Sequence, residues 1–343
     1  SRAPGTAPRA RRSYTLPEFL MWTRRKIYVL LAVSVVPVVL YQALGWHWLG
    51  IPFAVIFLLG TTVALSAGFK NLQTYNRMQD AQGIWVSIAS ASRVFATACR
   101  DLVPDPDAAR GLISRHLAWL ATLRHEMRRP MPWETADKAY NVEYNRKHFT
   151  IPEREQDLLA ELARYLFPDE VAQVVESHNP AYQAMALQSA DTKRLLDQAV
   201  ITPAAFAELQ RALREFQDLQ CRTERIKKFP YPRQHAFINT LFVRILCILL
   251  PFGMVTEFAR LNDSVEGWAQ GNMVWFAIPL SLVISWMYAS LDQVGEATEN
   301  PFEGSANDVP ITLLCEQLEL DVREMLGDKG VEARARSKRG FAL

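Results

Sequence analysis

The side chains that could do chemistry are present in this chain, but not at the intervals chemistry needs. His116, His125, His148 and His178 fall without an HExxH or comparable spacing, so no metal site is expected. The cysteines Cys99, Cys221, Cys247 and Cys315 form no CxxC pair, which excludes a zinc ribbon or thioredoxin-like motif and fits a reduced compartment. There is no Walker loop, no GxSxG and no GxGxxG after a strand. No catalytic residue and no cofactor are therefore expected, and the chain does not read as an enzyme. One stretch, Gly60 to Arg77, does carry a consequential spacing. Thr61, Leu65 and Phe69 recur every fourth residue, on one helix face and about 6 Å apart along the axis. Gly60, Ala64 and Gly68 run beside them as small residues that let neighbouring helices approach closely, and the helix turns polar at Lys70. The first half of the stretch reads as the lining of a membrane pore and the second half as its exit into the cytosol. The same residues also suit an ordinary buried helix face, and by themselves they leave both open.

The elements that must position this stretch are membrane spans. Lys and Arg total 38 against 36 Asp and Glu, so nothing in the bulk charge points to nucleic acid. The mean hydropathy of −0.03 conceals segregation. From Ile27 to Phe69 there is no Asp, Glu, Lys or Arg, room for two helices of about 20 residues each. Gly45 and His47 to Pro52 supply the break, Trp46 and Trp48 make interfacial anchors, and Pro37 should kink the first span. Ala236 to Val255, interrupted by Arg244, and Met273 to Leu291 are the other two spans. Arg24, Arg25 and Lys26, then Lys70 and Arg77, then Arg225, Lys227, Lys228 and Arg233 read as basic cytosolic flanks. The arginines at 9, 11 and 12 precede any apolar run, which argues for an uncleaved first span rather than a signal peptide. Four spans with both termini in the cytoplasm is the consistent topology.

The expected organisation is a disordered basic N-terminus (1–13), an N-terminal helix with spans 1 and 2 (14–70), and a cytosolic helical region (71–229). Spans 3 and 4 (230–292), a cytosolic C-terminal segment with a helix (293–326) and a disordered basic tail (327–343) complete it. The insertion shows helical spacing at Ile84, Ile88, Ala91 and Phe95 and at Leu112, Leu117, Leu120 and Leu123. Glu153 to Phe167 and Asp191 to Arg225 repeat it, with breaks at Pro104 to Pro106, Pro130 to Pro132, Asn179-Pro180 and Pro203. Nothing alternates as a strand would. Arg124, His125, Arg128 and Arg129 read as a solvated basic face.

Several short motifs, in order, carry a resemblance: GFKN from Gly68 to Asn71, Tyr75-Asn76-Arg77, Gly83-Ile84-Trp85, Ser92-Arg93, Leu250-Pro251-Phe252, Glu299-Asn300-Pro301-Phe302 and Asn307 to Pro310. The chain resembles a bacterial bestrophin homologue over roughly Thr15 to Leu326. The resemblance implies an all-α membrane protein: four transmembrane helices with a large cytosolic helical bundle, assembling as a homopentamer around a central pore. It would sit in the bacterial inner (plasma) membrane. It implies passive permeation of small monovalent ions, chloride and other anions first, with a monovalent-cation channel of the same fold as the alternative. Judged from the residues, a non-conducting membrane scaffold or sensor is the competing class. Mapped onto this chain, the family's hydrophobic neck falls on Thr61, Leu65 and Phe69, with Gly60, Ala64 and Gly68 packing near the pore. Thr61 departs from an apolar ring, so a wetter outer end is expected. The cytosolic aperture falls on Phe229, ahead of Pro230, where a simple helix-end role competes. Animal members hold calcium in an acidic run at this C-terminal segment. Only Glu303 and Asp308 are acidic here, short of the six to eight oxygens calcium takes, so Asp308 reads as a cap or turn residue. Arg244 is read as snorkelling from its span, with an ion-pathway role as the competitor.

Overall fold

A computed structural model describes residues 15–135, 138, 141–143, 151–267, 270–305 and 308–328. The expectations for 1–13, His148, Asn307 and the tail beyond 328 lie outside the described residues. Among the described residues every regular element is helical. They form two compact units, one from 15–76 with 230–299 and one from 77–229 with 300–328.

The first unit holds the apolar helices. Helix α1 (Leu16–Leu44) starts in a capping box, with the Glu18 carboxylate accepting the Thr15 N–H at 3.0 Å, and runs through Pro37 to a left-handed Gly45. Helix α2 (Phe53–Leu102) is unbroken over 50 residues, because no proline or paired glycine interrupts it where its composition turns polar. The other two helices of this unit come late in the chain: Arg233–Leu261, which contains Pro251, and Ala277–Ala297, entered through a 3₁₀ turn at Met273–Phe276. Four helices are thus long and apolar enough to span a bilayer. Each starts or ends several residues away from the apolar limits read in the sequence, since backbone hydrogen bonding does not stop where hydropathy does. Leu30, Ile56, Val63, Val243, Leu246, Cys247, Leu250 and Ala289 form the main buried cluster.

In the second unit, prolines set the helix starts. Helix α3 (Pro106–Arg128) begins behind Asp105, whose carboxylate accepts the Asp107 N–H at 3.1 Å. The helical spacing read over Glu153 to Phe167 is divided between two short helices, α4 (Pro152–Glu155) and α5 (Leu158–Leu162), followed by α6 (Pro168–Val175). Asp157 accepts the Leu159 N–H at 3.2 Å and so starts a new helix inside the periodic run. Helix α7 (Pro180–Asp197) is capped by Asn179, and α8 (Pro203–Lys228) by Thr202, each with proline in its first turn. In chain order Arg233–Leu261 is then α9, Ala277–Ala297 is α10, and Ile311–Met325 closes the described chain as α11. The core is aromatic. Phe95 meets Phe216 edge-on at 5.6 Å, and the His116 ring stacks on Trp119 at 5.3 Å. His116 lies 2.8 Å from the Ser92 hydroxyl, and full burial pushes its pKa down to about 3, so it is a neutral core residue.

The solvated basic face expected on α3 is not formed. Arg124 and Arg128 are buried. Arg124 pairs with Glu161 at 2.6 Å and Glu153 at 3.0 Å, and His125 reaches the other Glu161 oxygen at 2.8 Å. Arg128 pairs with Asp308 at 3.1 Å. Burial raises the Glu161 pKa, but His125 and Arg124 outweigh it and hold the carboxyl at about 2. Of the four basic residues only Arg129 is exposed. The partners lie 29 to 180 positions away in the chain, which is why periodicity on α3 alone assigns these charges to water.

Candidate functional site

Within the membrane unit, the buried face of α2 is Val63, Ala67, Lys70 and Thr74, all at 3% exposure or less. At about 100° per residue, Thr61, Leu65 and Phe69 lie nearly opposite that face. Leu65 is 63% and Phe69 58% exposed, and Thr61 is exposed as well. The chain therefore does not use this stripe for its own core. The Thr61 hydroxyl donates to the Phe57 carbonyl at 2.9 Å. Its hydrogen is thereby turned back onto its own helix, leaving the hydroxyl only acceptor capacity for other partners.

The small-residue stripe divides. Gly60 meets α10, where the Tyr288 hydroxyl donates to the Gly60 carbonyl at 3.2 Å and a Cβ would stand 3.5 Å from the tyrosine oxygen. Ala64 and Gly68 are exposed, and a Cβ on Gly68 would meet nothing within 4 Å. Packing of the single chain thus uses Gly60, Val63 and Ala67, and leaves Ala64 and Gly68 uncovered.

Two basic flanking residues are buried rather than free in the cytosol. Lys70 places its Nζ 3.1 Å from Asp292 of α10. The same carboxylate oxygen accepts Asn239 Nδ2 at 2.9 Å and the Thr240 hydroxyl at 3.3 Å, both from α9. The seam continues at Asn71, whose side chain fills the space a Cβ on Gly295 would need. In the other unit, Lys227 pairs with Glu134, and burial lowers its pKa against that pairing. Asp292 and Gly295 were not singled out from the sequence. The signal for Asp292 was a carboxylate directly after an apolar span, which flank counting ignores. Arg244 is exposed on α9 and its side chain has no hydrogen-bond or ion-pair partner among the described residues.

Phe229 caps the end of α8 with its N–H on the Arg225 carbonyl at 3.0 Å, and it is 68% exposed. One turn earlier, the Ile226 carbonyl accepts the Arg77 guanidinium of α2. Tyr231, which also precedes a proline, is buried and stands edge-on to His235.

The acidic pair near the C-terminal segment is committed to protein donors. Glu303 accepts the Thr135 N–H and hydroxyl, each at 2.8 Å, and Asp308 accepts the Gly304 N–H and the Ser305 hydroxyl, each at 2.6 Å, besides Arg128. Gly304 has φ +89°, and a Cβ there would also collide with Ile151, so this turn requires glycine. Asp308 is thus a turn residue that is also ion-paired. Burial raises the pKa of both carboxyls, Glu303 to about 8. Among the described residues no group of three or more His, Cys, Asp or Glu could hold a metal ion.

Four apolar helices, with an exposed apolar stripe on the second, define a polytopic helical membrane protein. Comparison with known proteins gives the family. The model for the Bacterial/Fungal Bestrophin protein family matches residues 20–324, and the chain belongs to that family. Its relatives include the voltage-dependent anion channel-forming protein YneE of Salmonella typhi, 23% identical over 92% of this chain and 89% of that one. The voltage-dependent anion channel-forming protein mll4386 of Mesorhizobium japonicum is 25% identical over 91% of each. A crystal structure of a bacterial bestrophin homologue from Klebsiella pneumoniae superposes with a TM-score of 0.72 at 22% identity, over 90% of this chain and 99% of that one. The family and the channel names of its relatives set this chain among ion channels rather than enzymes.

Proposed function

We propose that this chain assembles as a homopentamer in the bacterial inner membrane, with both termini cytoplasmic, and passes chloride and other monovalent anions passively along its five-fold axis. The observation that carries the reading is the exposure of Thr61, Leu65 and Phe69 on the side of α2 turned away from the chain's own helices. Five such stripes around an axis would build a dewetting neck in which Leu65 and Phe69 form the barrier and Thr61 makes a wetter outer end. Exposed Phe229 at the end of α8 supports a second, cytosolic ring. The names of the Salmonella and Mesorhizobium relatives support anions. Glu303 and Asp308, already committed to protein donors, support a channel that calcium does not gate.

Reconstitution in liposomes tests the reading. Salt-gradient-driven anion flux absent from empty vesicles is expected, with a reversal potential under asymmetric salt following the anion. Leu65→Ala and Phe69→Ala should each raise conductance or open probability. Unchanged conductance and open probability in both variants would remove the neck assignment, and a pentamer without flux would remove the channel.

A further inference from the structure

The residue after Phe69 is a lysine that does not reach water. Lys70 is 3% exposed and Asp292 5% exposed, in an apolar helical unit where an isolated charge is costly. One Asp292 oxygen gathers Lys70 from α2 and Asn239 and Thr240 from α9. A turn further along α2, the Thr298 hydroxyl sits 3.3 Å from that of Thr74. With Asn71 against Gly295 between them, the α2–α10 seam is specified over more than one turn, by polar contacts that have no apolar substitute in another register. Buried ion pairs contribute little net stability, but they select one arrangement over its neighbours. Successive helical residues differ by about 100°, so fixing Lys70 inward fixes where the Phe69 ring points.

We propose that Lys70 and Asp292 are positioning residues for Phe69. The pair sets the rotation of α2 that presents the ring on the exposed face, and its two opposite charges cancel beside the neck so that neither biases the permeating ion. The inference rests on the neck reading above, and its test separates the two. The full chain carrying Cys221→Ser, which removes the exposed cysteine, and Phe69→Cys is reconstituted in vesicles and treated with a negatively charged methanethiosulfonate reagent. Loss of flux on modification is expected. No effect of modification on flux would overturn the neck reading itself.

Asp292→Asn and Lys70→Met are then compared, each as an assembly eluting like the parent. Asp292→Asn leaves a cation near the neck and should shift the anion-to-cation permeability ratio upward by about threefold, and Lys70→Met should shift it downward by a similar factor. In the Phe69→Cys background, Asp292→Asn should also change the rate at which the introduced thiol is modified by at least about threefold. The double neutral variant and Asp292→Glu should both return toward the parent ratio. A purely structural role would move both single variants the same way, through loss of assembly. Shifts of equal sign, or a permeability ratio and thiol modification rate unaltered in both, overturn the proposal while leaving the neck intact. Should Asp292→Asn fail to assemble, Lys70→Met with Asp292→Glu carries the same comparison, and an unmoved ratio in Lys70→Met overturns it.

Discussion

Replacing Glu303 by Gln turns a fully buried carboxylate outside the membrane spans into a neutral isostere. Glu303 is fully buried, and burial followed by the neighbouring Asp308 carboxylate raises its pKa from 4.5 to about 8. The unfolded chain ionises near 4.5 while the folded chain holds the proton. Glu303 therefore contributes stability in full below about pH 4.5, loses it as pH rises to about 8, and costs a constant amount above that. At about 1.4 kcal/mol per pH unit, that interval sets a ceiling of about 5 kcal/mol. Gln gives up part of the pairing with the Thr135 N–H and hydroxyl, about 1–2 kcal/mol, so a net gain on the order of 3 kcal/mol is expected at pH 8.5. At pH 5 the gain should vanish or reverse slightly. Thermal unfolding of the solubilised full chain, followed by tryptophan fluorescence at both pH values, measures this directly. Equal stabilisation at pH 5 and 8.5, or a larger effect at pH 5, would refute the assignment of a buried, protonated Glu303.

Arg124→Met should destabilise the helical unit by about 3–5 kcal/mol, because it strands the buried Glu153 and Glu161 carboxylates, and the loss should shrink as acid protonates Glu161. Urea or thermal unfolding between pH 4 and 7 reads it. Phe229→Ala and Tyr231→Ala should part company. The exposed Phe229 side chain carries little folding energy, so its removal should alter conduction in vesicles while the melting temperature stays put. The buried Tyr231 ring should cost about 3–5 kcal/mol of stability when removed. A Phe229→Ala channel with unaltered conductance would take the aperture away from that residue.

The helical character and the four apolar spans were legible because they rest on local signals. A charge-free run long enough to cross a bilayer has few alternatives, and Asp105-Pro106, Asn179-Pro180 and Thr202-Pro203 announce helix starts by caps that need only neighbouring residues. The ordered motifs pointed to the family that residues 20–324 match, and the resemblance they carry, with four-residue spacing on one helix face, is what singled out Thr61, Leu65 and Phe69.

Charge placement was not legible. Lys70, Arg124, Arg128 and Lys227 each look like surface cations by composition, and each is buried against a carboxylate far along the chain. Whether a lysine meets water or an aspartate depends on which distant helix packs over it. By itself the sequence determined an all-helical, four-span chain and the stripe it could show to an axis. Tertiary structure alone decided that Val63, Ala67, Lys70 and Thr74 turn inward, and so that Thr61, Leu65 and Phe69 face out. A helix has one rotation when packed, and it is set by what covers this face from distant helices, the partners of Lys70 on α9 and α10 among them.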